Sequence, residues 1–186
     1  MSETKIPETP LDLLVRIEYL SRQAGHKLPE KIEAQPLWRG IAFSVDQLRL
    51  VIPLQMITDV VECGPVTPVP RTKGWLRGVA NVRGTLYSVT DLACFLGRPP
   101  LAMETEGNLL VLNEGDLHSA ILVSEVYGLK SFDEERDAGD ASTLDASLRQ
   151  YVSRVFNEET QIWGVLDVPH LVSDEAFREI EWQATA

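Results

Sequence analysis

Asp59 and Glu125 are two acids of this 186-residue chain that recur in a shared setting, Ile57-Thr58-Asp59-Val60 and Val123-Ser124-Glu125-Val126. Carboxylates in matched positions suit general acid–base chemistry, where one gives a proton and the other takes it. A small all-β hydrolytic enzyme using Asp59 and Glu125 is therefore one reading. The sequence offers it little company. No GxSxG, HExxH, CxxC, Walker loop or GxGxxG occurs. His26 falls in a connector, His118 in a hairpin strand and His170 beside Pro169, and surface acids at strand ends are common. Cys63 and Cys94 lie far apart with no histidine nearby, which gives neither a metal spacing nor a disulfide framework. No metal, cofactor or catalytic residue is expected.

The other residues with chemical reach are arginines. The stretch WLRGVANVRGTLYSVTDL, residues 75–92, holds Arg77-Gly78 and Arg83-Gly84 just before an alternating apolar run. Glycine weakens regular elements and serves best where φ is positive, so the pairs read as two tight bends, each presenting a guanidinium. Asn81 can tie such a bend to its own backbone. Segment 71–83 contains Arg71, Lys73, Arg77 and Arg83 and no acid, on a chain of net charge -11. The overall charge disfavours nucleic acid and anionic membranes, while the local basic spot suits an acidic partner. No run of 18 apolar residues and no signal peptide is present, so a cytoplasmic protein without direct membrane insertion is expected.

Most of the elements that must hold these residues are strands. Residues 9–25 predict an amphipathic helix, with Thr9 as cap, Gly25 as stop, and Leu13, Leu14, Ile17 and Leu20 on a face suited to docking. A polar connector follows, and from Trp38 onward the apolar period is two. Asp46-Gln47 separates IAFSV from LRLVI as a hairpin, then come ITDVVE, a proline-rich loop, and TLYSVTDL. NLLVLN and LHSAILVSEV form a second hairpin. Segment 133–142 reads as a solvated acidic loop, RQYVSRVF and QIWGVLDV as the last strands. Laid together, FSVDQLRLVIPLQMITDV and LVLNEGDLHSAILVSEVY are related, and each half ends alike, in Val89-Thr90-Asp91-Leu92 and Val165-Leu166-Asp167-Val168. This repeat predicts two β lobes of roughly 65 residues each, packed around a groove.

With its flanks, GVANVRGTLYSVTDL resembles the central motif of CheW-like chemotaxis coupling proteins, and the two hairpins match that family's spacing over residues 38 to about 171. The N-terminal helix, the connector and WLRGVANVRG look closer still to the type IV pilus (twitching motility) branch. The resemblance implies an all-β fold of two intertwined, five-stranded, SH3-like β-barrels with an N-terminal α-helix. It divides the chain into 1–37, helix and connector; 38–171, the CheW-like domain; and 172–186, a C-terminal tail. It also implies a non-enzymatic adaptor that links the cytoplasmic tip of a methyl-accepting chemoreceptor to the regulatory domain of a CheA-like histidine kinase. Association with itself or with other CheW-like proteins in rings is implied too. A coupling protein of a flagellar or other chemosensory array is the alternative within the family.

Carried over by position, the receptor-facing arginine falls on Arg83 and the glycine opening its turn on Gly78. The apolar and acidic positions ending the third strand fall on Ile57 and Asp59, with Asp where Glu is more familiar. An apolar groove position falls on Val126, and Ala120 stands where a relative has glycine. Kinase-contacting residues do not transfer. Plainer readings stand beside these: a solvated turn arginine, core residues at Ile57 and Val126, and a turn-capping acid at Asp59.

Overall fold

Alternating apolar residues pair into two five-stranded sheets. The computed structural model describes residues 10–23, 37–101, 107–113, 115, 117–158 and 160–179. The chain divides into two units, 1–35 and 36–186. In the first, α1 spans Pro10–Gln23 with Asp12 in its first turn, where a carboxylate favours the positive end of the helix. The expected cap Thr9 and stop Gly25 lie outside the described residues.

In the second unit, β1 (Trp38–Val45), β2 (Leu48–Pro53), β3 (Ile57–Glu62), β4 (Leu76–Val82) and β5 (Thr85–Asp91) come first. After α2 (Leu92–Phe95) follow β6 (Asn108–Leu112), β7 (Ser119–Val123) and β8 (Glu125–Phe132). Then come α3 (Ala146–Arg149), β9 (Val152–Glu158), β10 (Gln161–Leu166), α4 (Val168–Ser173) and α5 (Glu175–Arg178). One sheet runs β8-β1-β2-β10-β9 and the other β3-β6-β7-β5-β4. The orders are the same when each strand of the first half is replaced by its counterpart in the second. The internal repeat is therefore real, but the lobes are not sequential blocks. Each repeat forms its hairpin in one sheet and sends its third strand to the other.

The register sharpens the repeat. The same numerical step carries Phe43 to Leu112, Val51 to Ala120 and Ile57 to Val126, each pair at matching ladder positions. It also carries Asp46 to Gly115, both with φ of 53° at the hairpin turns. That step is longer than the one joining Asp59 to Glu125. The sequence comparison was out of register because the short apolar–hydroxyl–acid–valine units look alike.

Two strands differ from expectation. LHSAILVSEV is not one strand: β7 stops at Val123, and Ser124 marks the crossing. Its N–H donates to the Ser44 carbonyl at 2.9 Å, and its hydroxyl accepts from the Asp46 N–H at 3.1 Å. The chain then runs on as β8 to Phe132 in the other sheet, over residues the sequence left unassigned. Likewise WLRGVANV is mostly strand, and of the pairs Arg77-Gly78 and Arg83-Gly84 only the second makes a turn.

Arg77-Gly78 lies inside β4 at a bulge, the register shifting between Leu76 and Gly78. Gly78 has φ of 139°, and a Cβ there would stand 2.1 Å from the Thr67 carbonyl oxygen. That close pass exists because Thr67 and Val79 exchange both backbone hydrogen bonds, at 2.8 and 2.9 Å. The Arg77 guanidinium turns inward, its Nε 3.4 Å from the fully buried Asp91 carboxylate, and it donates to the Leu101 carbonyl. Asp91 also accepts from the N–H groups of Cys94 (3.1 Å), capping α2, and Leu101 (2.9 Å). Its counterpart Asp167 caps α4 through the His170 N–H at 3.0 Å.

Burial falls into three clusters. One is shared, joining Phe43, Leu50 and Ile52 of the first sheet to Leu110, Leu112 and Ile121 of the second. The others lie one in each lobe, around Phe132, Phe156 and Trp163 and around Val89, Val111 and Leu122. The sheets curl until their edges meet: Phe132 of β8 stacks on Phe156 of β9 at 4.6 Å, and Lys130 pairs with Glu158. The 133–142 loop is more ordered than its acidity predicts. Asp137 is buried, and the loop pairs with β9 through Gly139 N–H to Val155 O and Asn157 N–H to Asp137 O. Beyond residue 171 the chain keeps packing, for the Phe177 ring stacks on Trp75 at 5.7 Å and meets Phe95 edge-on at 5.3 Å. Ahead of Phe177, the Tyr151 hydroxyl donates to Asp174 at 2.7 Å.

Two outcomes follow. Gly78→Ala meets backbone at a position already strained for an L-residue, so urea unfolding should show a loss of about 3 kcal/mol or more. Gly84→Ala, at φ of 92° with nothing within 4 Å of a Cβ, should lose only about 1 kcal/mol. Equal small losses would contradict the close pass at Thr67. Burial first, then the bond to Asp174, pushes the Tyr151 hydroxyl up to about 12. A raised folded-state value stabilises the fold below the unfolded value of about 10, and that contribution disappears as pH climbs from there through about 12. Wild type should therefore lose stability over that window more steeply than Tyr151→Phe, as read by chemical denaturation at each pH.

Candidate functional site

The second Arg-Gly pair makes the two-residue turn between β4 and β5, where Val82 faces Thr85. Arg83 has φ of 50° and Gly84 φ of 92°. Positive values at both central residues give the turn whose twist matches the flanking strands. Glycine adopts this freely, whereas arginine does so at a cost of about 1 kcal/mol or more. The Asn81 side chain offsets part of that cost by accepting the Gly84 N–H at 2.8 Å. The strained residue is held out into solvent, its side chain 77% exposed.

Arg83 meets Asp59, with Nη2 3.0 Å from Oδ2 and 3.3 Å from Oδ1. The pair ties the tip of the β4–β5 hairpin to β3, from opposite edges of one sheet, as Lys130 and Glu158 tie the edges of the other. Two expected site residues are thus brought into direct contact.

Ile57 is on the same strand but not on the same face. In an even strand, residues two apart point the same way. Here the register shifts between Ile57 and Asp59, so that Ile57 faces Leu112 while Asp59 faces Val111. Leu112 belongs to the shared core and Val111 to the core of its own lobe. Ile57 accordingly packs, half-buried, against the shared core, and Asp59 turns to the lobe side, where Arg83 waits.

Val126 sits at the equivalent bulge of the other sheet. It pairs with Phe43, and the ladder slips before Gly128 pairs with Ala42. Like Ile57 it leans, half-buried, on the shared core, so these two form one apolar set at the strand crossings. Val60 and Leu129 extend it on the same strands; Leu129, 59% exposed, stands opposite Ile41. Sequence reading missed Leu129, whose alternation with Val126 is hidden by the bulge. Gly78 is not part of the Arg83 turn; it shapes β4 through the Thr67 contact. Ala120 is wholly buried beside Val89. Glu125, the other half of the hydrolytic reading, is exposed on β8 opposite Ser44, in the sheet that does not hold Asp59. Among the described residues no group of three or more His, Cys, Asp or Glu is placed to hold a metal ion, and no helix is long and apolar enough to cross a membrane.

Two β lobes exchange strands through a common core, with an exposed guanidinium at one edge and an apolar set at the crossings. The chain belongs to the CheW family: residues 39–176 match the CheW-like domain. It is 31% identical over 173 residues to Protein PilI of Pseudomonas aeruginosa, covering 93% of this chain and 97% of that one. Protein FrzA of Myxococcus xanthus is 31% identical over 98 residues, covering 53% of this chain and 61% of its own. Chemotaxis protein CheW of Thermotoga maritima is 28% identical over 98 residues, covering 52% and 63%. The fold matches the crystal structure of the scaffolding protein TtCheW from Thermoanaerobacter tengcongensis, with a TM-score of 0.65 at 16% identity over 77% of this chain and 97% of that one. Proteins of this family are non-enzymatic, and this chain is a CheW-like coupling scaffold of a chemosensory system.

Arg83 is mostly solvated, and such pairs contribute about 0.2–1 kcal/mol. A double-mutant cycle with Arg83→Ala and Asp59→Ala, read by urea unfolding, should return a coupling in that range. A coupling of several kcal/mol would make the pair a structural clasp of the lobe and leave no spare guanidinium for a partner.

Proposed function

We propose that the chain couples the cytoplasmic helical tip of a methyl-accepting chemoreceptor to a CheA-like histidine kinase in a type IV pilus sensory system, working in the cytoplasm beside membrane-bound receptor arrays. The single observation that carries the receptor part is Arg83, held in a strained conformation and largely exposed. A buried or packed arginine would need no such placement, whereas a binding group would.

The roles divide by chemistry. Arg83 offers a planar fork of donors to carbonyls or carboxylates at a helix hairpin. Asp59 orients that fork and accepts in turn from a partner N–H. Ile57 and Val126 supply the apolar floor on which helix side chains rest, a common mode of helix recognition. β3 is an edge strand, so a helix tip laid along its rim can touch Ile57 on one face and Asp59 on the other. Gly78 serves indirectly, by setting the course of β4. The pilus assignment is supported by extent. The likeness to PilI spans 93% of the chain, against 53% and 52% for FrzA and CheW.

Wild type and Arg83→Ala should be compared for capture of a receptor cytoplasmic fragment and of the kinase regulatory domain. Receptor affinity should fall tenfold or more, equivalent to about 1.4 kcal/mol, while kinase capture stays unchanged. Unchanged binding of both partners would remove Arg83 from the site; loss of both would point to a folding defect, to be checked against the unfolding curve.

A further inference from the structure

In the second lobe the parallel pair β5–β7 sets Ser88 beside Ser119 and Thr90 beside Ile121. Parallel neighbours on one face point the same way, so Ser88, Thr90 and Ser119 present three hydroxyl groups together. They form the polar floor of a cavity of about 180 Å³, whose walls are Trp75, Leu76, Leu117, Val172 and Phe177, with Arg178 also at its lining. The walls come from three separate places. Trp75 leads into β4, Leu117 precedes β7 with 42% exposure, and Val172 and Phe177 belong to α4 and α5. The C-terminal helices thus roof a space that the sheet alone would leave open.

The floor holds an unexplained group. Ser119 is fully buried, and its hydroxyl finds no hydrogen-bond partner among the described residues. A buried hydroxyl left unpaired costs about as much as a lost hydrogen bond, so native proteins rarely retain one without an occupant to satisfy it. Neighbouring Ser88 does not help, since its hydroxyl is engaged with the His118 carbonyl at 3.2 Å. The volume is more than one water requires, and an apolar cavity of about 150 Å³ is enough for a benzene ring. A larger hollow in the other lobe, about 410 Å³, is lined by Gln47, Arg49, Thr160 and Gln161 among others, and none of its lining residues is such an orphan.

We propose that this cavity is a binding site for a single-ring aromatic molecule bearing one hydroxyl head, a simple phenol being the smallest example. The ring fills the space between Leu117, Val172 and the edges of Trp75 and Phe177, and the head exchanges a hydrogen bond with the Ser119 hydroxyl. Because Trp75 and Phe177 form two of the walls, an occupant braces α5 against the segment that enters β4, the strand ending at the Arg83 turn.

The test uses the full chain labelled with ¹⁵N, titrated with 4-methylphenol and, separately, with toluene. Saturable shifts are expected at the amides of Ser119, Thr90 and Phe177 with 4-methylphenol, and weaker ones with toluene. Ser119→Ala removes an unpaired group and should fold normally; it should weaken 4-methylphenol at least tenfold and leave toluene unchanged. Leu117→Trp, a change at an exposed position that fills the mouth, should abolish both. Absence of saturable shifts at those amides, or equal affinity of Ser119→Ala and wild type for 4-methylphenol, overturns the proposal.

Discussion

The crossing of β3 and β8 between the sheets is the constraint on which the molecule rests. Each sheet joins two strands of one repeat to three of the other, so neither lobe can leave without tearing strands from its partner. The shared core fills in around those crossings, and Phe43, Leu112, Ile121 and Val123 are buried there from both sides. Close-packed interiors deform little, so a shared core ties the two lobes to one another. A coupling protein needs that rigidity, because it passes geometry from one partner to another and has no reaction of its own with which to amplify a signal.

Bulges at the two crossings decide which residues share a surface. One extra residue in β3 sends Ile57 to the shared core and Asp59 to the lobe side, so a single edge strand carries an apolar face and a charged face. The matching bulge in β8 sets Val126 as the counterpart of Ile57, and places Gly128 where the first repeat has Asp59. The repeat is thus symmetric in architecture and asymmetric in chemistry. Each repeat contributes one apolar residue to the set, Ile57 or Val126, whereas Gly128 leaves the Asp59–Arg83 pair without a counterpart.

The two Arg-Gly pairs show how backbone geometry assigns opposite roles to the same dipeptide. At Arg77-Gly78 the bulge turns the guanidinium inward to the buried Asp91, which also caps α2 and receives Leu101, so the arginine is part of the scaffold. At Arg83-Gly84 the tight turn throws the side chain outward, where it meets the half-buried Asp59 carboxylate. A buried, networked charge cannot lose its partner without a large penalty, while a solvated one can exchange partners at little cost.

Apart from β4 and most of β8, the strands from Trp38 onward, the Asp46 turn, the twofold repeat and the prominence of Arg83 were legible in the chain, because apolar period, turn residues and motif spacing are local properties. So were the all-β class and the family. Local patterns could not show that the third strand of each repeat changes sheets, that LHSAILVSEV breaks at Ser124, or that Asp59 and Glu125 occupy unlike positions. Those depend on register, and register is decided when faraway strands pair and bury one face. The Asp59–Arg83 contact and the orphaned Ser119 under α5 are of the same kind, since each joins residues far apart along the chain. The sequence determined what each segment tends to be, and only the closed sheets, by choosing which faces meet, decided what each side chain does.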